Sequence, residues 1–206
     1  GWMEVGGRVS GGPQGEPRAI RLRDDMHGEF AEYLAAFALY LHQRGVPLDV
    51  LSMANEPHFT HSFPSMLLQG EDMRRVIRET DRRLRMAEQR VEGFRRPRLA
   101  ADDNVLTEHR FREDFAPFLD GLARDRTARD ALSIIAFHGY GEGALLPEEV
   151  DASVLARLLS RSRRVLGNDV ELWMTETSGH HNGLLDADRP GALRLAEGIH
   201  SVLVYG

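Results

Sequence analysis

Leu48-Asp49-Val50-Leu51-Ser52-Met53-Ala54-Asn55-Glu56-Pro57 is the stretch on which the reading of the chain turns. Its apolar part, Leu48–Ala54, is too short for a stable helix and reads as a buried strand. It stops at an amide, a carboxylate and a proline, the last of which stiffens the chain and cannot continue a central strand. A carboxylate at the end of a buried strand is where an α/β fold places chemistry.

The surroundings repeat the pattern. Before the strand, Phe30, Leu34, Phe37, Ala38 and Leu41 fall at helical spacing within residues 24–44, and Gly45 and Pro47 stop that helix. Residues 1–17, rich in Gly and Pro, read as a surface connection. After the strand comes a loop rich in His and Phe. Residues 71–92 then form a charged helix with Met73, Val76, Ile77, Leu84 and Val91 on one side. Arg98–Ala101 reads as a second short strand opening into Asp102-Asp103-Asn104, polar loop residues expected to cap the next helix. That helix covers 108–125, with Phe111, Phe115, Phe118 and Leu122 at turn spacing. Leu132–Phe137 is a third strand ending at His138-Gly139-Tyr140, and 148–166 is a helix. Val170–Thr175 is a fourth strand ending at Glu176, and 192–203 is a final helix. Alternating strands and helices predict an α/β fold with a parallel sheet.

Composition narrows the chemistry. With no cysteine, thiol nucleophiles, disulfides and thiolate metal sites are excluded. All 26 basic residues are arginine, so there is no lysine for a Schiff base or a phosphate loop. The net charge of −6 gives no basic surface for nucleic acid, and no apolar run is long enough to span a bilayer. Carboxylates, nine histidines and hydroxyls remain.

Two glutamates, Glu56 and Glu176, end strands three steps apart. In a closed barrel, strands so related can face one another across the mouth. A close pair of carboxylates there suits retaining glycoside hydrolysis. Asn55 can hydrogen-bond a sugar hydroxyl. His138 and Tyr140, two apart on a strand, share a face and can point into the same site. Trp173 alternates with Met174 and is expected to pack against helices. The paired arginines at 74–75, 82–83, 95–96 and 163–164 read as solvated, ion-paired faces.

The chain resembles glycoside hydrolase family 30. The resemblance rests on Trp2-Met3, Ala31-Glu32-Tyr33-Leu34, Asn55-Glu56-Pro57, Gly70-Glu71-Asp72-Met73-Arg74, His138-Gly139-Tyr140 and Trp173-Met174-Thr175-Glu176, in that order. It implies a partial (β/α)8 TIM barrel running from the end of strand three through helix seven. Residues 1–206 would be a single partial catalytic domain truncated at both ends, poorly folded or inactive alone. It further implies Glu56 as acid/base and Glu176 as nucleophile. Asn55 would bind the hydroxyl beside the anomeric carbon, Trp2 would wall the sugar subsite, and His138 and Tyr140 would flank the nucleophile. No cofactor and no metal is expected. The partner is a carbohydrate or glycoconjugate such as a glucosylceramide, β-glucan or xylan, and secretion is suggested by the family alone. Oligomeric state, sugar and linkage stay open. Two alternatives also stay open: a carbohydrate-binding pseudoenzyme, and a metal-dependent hydrolase using His58, His61, His180 and His181.

Overall fold

A computed structural model describes residues 3–4, 20–59, 65–139, 154–176 and 200. Its elements are α1 (His27–Gln43), β1 (Val50–Ser52), α2 (Gly70–Arg90), β2 (Arg98–Val105), α3 (Glu108–Arg110), a π-helical turn (Phe111–Phe115), α4 (Ala116–Arg124), α5 (Arg126–Ala131), β3 (Leu132–His138), α6 (Val154–Leu166) and β4 (Glu171–Glu176). The four strands form one sheet in the order β1-β2-β3-β4, every pair parallel. The expected alternation is therefore present. The expected helix at 192–203 and residues 148–153 of the expected helix at 148–166 lie outside the described residues, residue 200 aside. No described helix is long and apolar enough to cross a membrane.

The two faces of the sheet differ. Leu51, Leu99, Ala101, Ile135 and Phe137 join the apolar sides of the helices in the main core, with Leu172 and Met174 packed against it. Val50, Ala100, Ile134 and Ala136 form a smaller cluster of their own. Strand alternation puts the two sets on opposite faces. Helix α2 buries Met73, Val76, Ile77 and Leu84, the spacing the sequence carries, while Val91 ends it as the C-cap. Helix α1 buries Ala31, Leu34, Ala35 and Ala38. That stripe is rotated from the expected one, so Phe37 is exposed and Phe30 only partly buried. Gly45 closes α1 at φ 75°, a left-handed position glycine takes without steric cost.

Four expectations are corrected. The first strand is only three residues long, although the Met53 N–H still donates to the Ala100 carbonyl at 3.2 Å. The second strand runs four residues further than its apolar part. Asp102, Asp103 and Asn104 are buried strand residues and not a loop, and Thr107 caps the next helix instead. The helix expected over 108–125 contains a π turn, and a separate short helix, α5, follows it under an Asp125 cap. Trp173 pairs with Ala136, on the face away from the helices, while Met174 packs into the helical core. The Trp173 indole N–H donates to Glu171 at 2.7 Å, and the Arg98 guanidinium lies 5.5 Å from its ring centre. With Leu172 and Met174 packed on the helical core, strand alternation turns Trp173 between them to the opposite face.

Candidate active site

The C-terminal ends of the four strands gather the polar side chains. Glu56 follows β1 in a tight turn at φ 45°, with its N–H donating to the Asp103 carbonyl at 2.9 Å. His138 is the last residue of β3 and Glu176 the last of β4. Ser52 ends β1, and Thr175 precedes Glu176.

One imidazole joins them. His138 Nδ1 lies 3.0 Å from Glu56 Oε1, and its Nε2 lies 3.4 Å from both Asp103 Oδ1 and Glu176 Oε2. The His138 side chain is almost fully enclosed. Burial alone would lower its pKa. Hydrogen bonds to Asp103 and Glu56, with the charges of Asp103 and Glu176, outweigh that and raise it to about 9. The ring is therefore a cation at neutral pH, both nitrogens donate, and one positive charge faces three acidic side chains.

Asp103 anchors the group. Its two oxygens accept from Ser52 Oγ and Thr175 Oγ1, each at 2.6 Å. Burial would raise its pKa, but the His138, Ser52 and Thr175 hydrogen bonds hold it below the ordinary carboxylate value. One side chain on β2 thus ties β1, β3 and β4 together. The two glutamates occupy different environments: the Glu56 side chain is 10% exposed and that of Glu176 is 47% exposed.

The sequence-derived residues sort as follows. Glu56, His138 and Glu176 come together. Asn55 lies exposed immediately before Glu56. Trp2 and Tyr140 lie outside the described residues. Of the four histidines considered as metal ligands, His61, His180 and His181 also lie outside them. His58 is instead enclosed between Asp102 and Asp114 at 2.9 and 3.1 Å. Among the described residues, no group of three or more His, Asp or Glu side chains is arranged to hold a metal ion. Sequence reasoning missed Asp103, Ser52 and Thr175. The acidic run was visible, but a buried carboxylate is tolerated only with hydrogen-bond partners, which a linear reading does not reveal. The paired arginines that are described, including Arg74, Arg82, Arg83 and Arg96, bind Glu71, Glu79, Glu32 and Asp81 on the helices.

Comparison with known proteins gives a consistent picture. No protein-family model matches the chain. The chain is 28% identical over 193 residues to the glucuronoxylanase XynC of Bacillus subtilis, covering 93% of this chain and 38% of that protein. The chain thus spans well under half the length of the curated relatives it matches. Among solved structures it is similar to the endo-β1,6-glucanase BT3312, with a TM-score of 0.67, 19% identity and coverage of 98% of this chain and 39% of that one. It is also similar to the glycoside hydrolase family 30 subfamily 8 xylanase Xyn30A of Clostridium acetobutylicum, with a TM-score of 0.52, 17% identity and coverage of 98% and 52%. The fold is that of part of a (β/α)8 barrel, and the resemblance to part of a family 30 glycoside hydrolase holds in both sequence and structure.

Proposed function

We propose that this chain is a single partial catalytic domain of a retaining glycoside hydrolase that cleaves β-glycosidic bonds, with Glu56 as acid/base and Glu176 as nucleophile. The observation that carries the reading is the meeting of both carboxylates at one imidazole, from strand ends three steps apart. Their unequal exposure suits unequal roles. The open Glu176 carboxylate is free to reach an anomeric carbon, while the enclosed Glu56 is held in place beside His138.

The chemistry runs in two displacements. The Glu176 carboxylate attacks the anomeric carbon. The bond to the leaving oxygen breaks as Glu56 gives that oxygen its proton, leaving a glycosyl ester on Glu176. Glu56, now a carboxylate, removes a proton from water. The hydroxyl attacks the anomeric carbon, the ester bond breaks, and both glutamates return to their starting states. His138 holds its positive charge between the two and moves no proton in this scheme. Asn55, exposed next to Glu56, binds the hydroxyl beside the anomeric carbon. By the family resemblance, Trp2 and Tyr140 are assigned to the sugar subsite.

The substrate class is a β-linked glycan, supported by the glucuronoxylanase and the endo-β1,6-glucanase among the similar proteins. Release of reducing ends from glucuronoxylan, β-1,6-glucan and aryl β-glycosides by the full-length enzyme that carries this domain tests it. Glu176→Ala is expected to abolish turnover, and added azide to restore part of it by forming a glycosyl azide. Full activity in Glu176→Ala removes the assignment. Proton NMR of the first-formed product is expected to show the β-anomer, and an α-anomer would replace retention with inversion.

A further inference from the structure

We propose that the Asp102–His58–Asp114 cluster is a clasp that positions Glu56 for proton transfer, which makes His58 a positioning residue of the active site. The inference rests on the reading of Glu56 as the acid/base.

The argument begins at the backbone. Glu56 is a non-glycine residue at φ 45°, a left-handed conformation that persists only where the surroundings over-determine it. The turn Glu56-Pro57-His58-Phe59 is held at each of its residues. The Glu56 N–H donates to the Asp103 carbonyl at 2.9 Å, and the Phe59 N–H donates to the Glu56 carbonyl at 3.0 Å. The Pro57 carbonyl accepts from the Leu68 N–H at 3.0 Å. The Phe59 ring lies 3.8 Å under the Arg110 guanidinium.

His58 supplies the side-chain grip. Its Nε2 is within 2.9 and 3.1 Å of the two Asp102 oxygens, and its Nδ1 is 3.1 Å from Asp114 Oδ1. The side chains of all three are under 10% exposed. Asp114 Oδ2 in turn accepts from Asn104 Nδ2 at 3.2 Å and from Arg110 at 3.1 Å. Every polar atom in the clasp is engaged, which is what makes a buried charged network rigid.

The π turn provides Asp114. Residues Phe111–Phe115 interrupt an otherwise α-helical run beside the strand ends, and the widened turn carries Asp114 against His58. Such turns are costly relative to α-helix and occur often at functional sites. Here the distortion serves a histidine two residues from the proposed acid. Asp102, the other half of the clasp, adjoins Asp103, which is bound to His138 and through it to both glutamates. The clasp and the site therefore share one strand end.

The test is a leaving-group comparison in the full-length enzyme that carries this domain. Protonation by Glu56 matters when an aryl β-glycoside has a poor leaving group such as phenol, and little when it has 2,4-dinitrophenol. His58→Leu is expected to lower kcat/KM for phenyl glycosides by about 10-fold or more, within the range of general acid catalysis. The dinitrophenyl substrates should lose less than about 3-fold. Asp114→Asn keeps the shape of the clasp and is expected to fall between wild type and His58→Leu on the same plot. It also serves where His58→Leu does not fold. Glu56→Ala is run beside them. A steep leaving-group dependence in Glu56→Ala with equal losses on both substrates in the clasp variants overturns the clasp alone. Equal losses in Glu56→Ala overturn the acid/base reading beneath it.

Discussion

Asp103 occupies a left-handed backbone position, φ 54°, which Asn and Asp tolerate better than most residues. Asp103→Asn therefore preserves the backbone, removes the charge and turns one acceptor oxygen into an NH2 donor. Since hydrogen bonding to Asp103 is the largest contribution raising the His138 pKa, the His138 value is expected to fall from about 9 toward 6.5 in this variant. A 1H–13C NMR titration of the ring reads it directly, and an unchanged midpoint would remove Asp103 from its anchoring role. His58 is also raised to about 9, because Asp102 and Asp114 outweigh the burial that would lower it. A histidine whose folded pKa lies above its unfolded one stabilises the fold fully below about 6.5 and loses that contribution as pH rises through 9. Unfolding free energy is thus expected to drop between pH 6.5 and 9.5, by up to about 3 kcal/mol per histidine. Urea titration across that range checks it, and a flat profile would contradict it. Asp103 and Asp114, held below the ordinary carboxylate value, act in the opposite window. Their contribution is present above the unfolded pKa and is lost as pH falls through the lowered ones. At this scale Glu56, Glu176 and His138 were legible, because each stands at or just after the end of a recognisable strand. Asp103 was not, because its partners lie on three other strands.

The run from Glu108 to Arg124 shows what sets an element here. Thr107 caps it, its side-chain oxygen accepting from the Arg110 N–H at 3.1 Å. Thr107→Ala is expected to cost about 1 kcal/mol in chemical denaturation, the usual loss for an N-cap. Phe115, in the π turn, is fully buried, and Phe115→Ala is expected to cost about 3–5 kcal/mol. If Phe115→Ala cost no more than Thr107→Ala, the π turn would not be packed as described. The phenylalanine spacing revealed the helix and its buried face. The π turn was illegible, because one extra residue in a turn leaves no mark on an apolar pattern that stays in phase. The polar half of β2 was equally hidden. Asp-Asp-Asn has loop propensity, and buried hydrogen bonds to His58, His138 and Asp114 override it.

Across the whole described structure, the sheet has one face under helices and the other lined by Val50, Ala100, Ile134 and Ala136, with β1 and β4 outermost. Helix α1 exposes Tyr33, Phe37 and Tyr40, at 58%, 44% and 51%. Outer strands and an exposed aromatic stripe favour self-association. The 206-residue chain expressed alone is expected to self-associate, which sedimentation would report. A chain that stays monomeric at high concentration would contradict this.

The amino-acid order determined the alternation of strands and helices, the parallel sheet, and the three strand ends that carry Glu56, His138 and Glu176. These follow from periodicity and from where apolar runs stop, which are local properties. Only the tertiary structure decided that the two glutamates meet at one imidazole, that Asp103 fastens three strands, and that His58 is clasped between Asp102 and Asp114. Those contacts join residues far apart in the chain. They depend on two left-handed residues and a π turn, whose geometry is imposed by packing and hydrogen bonding across the fold.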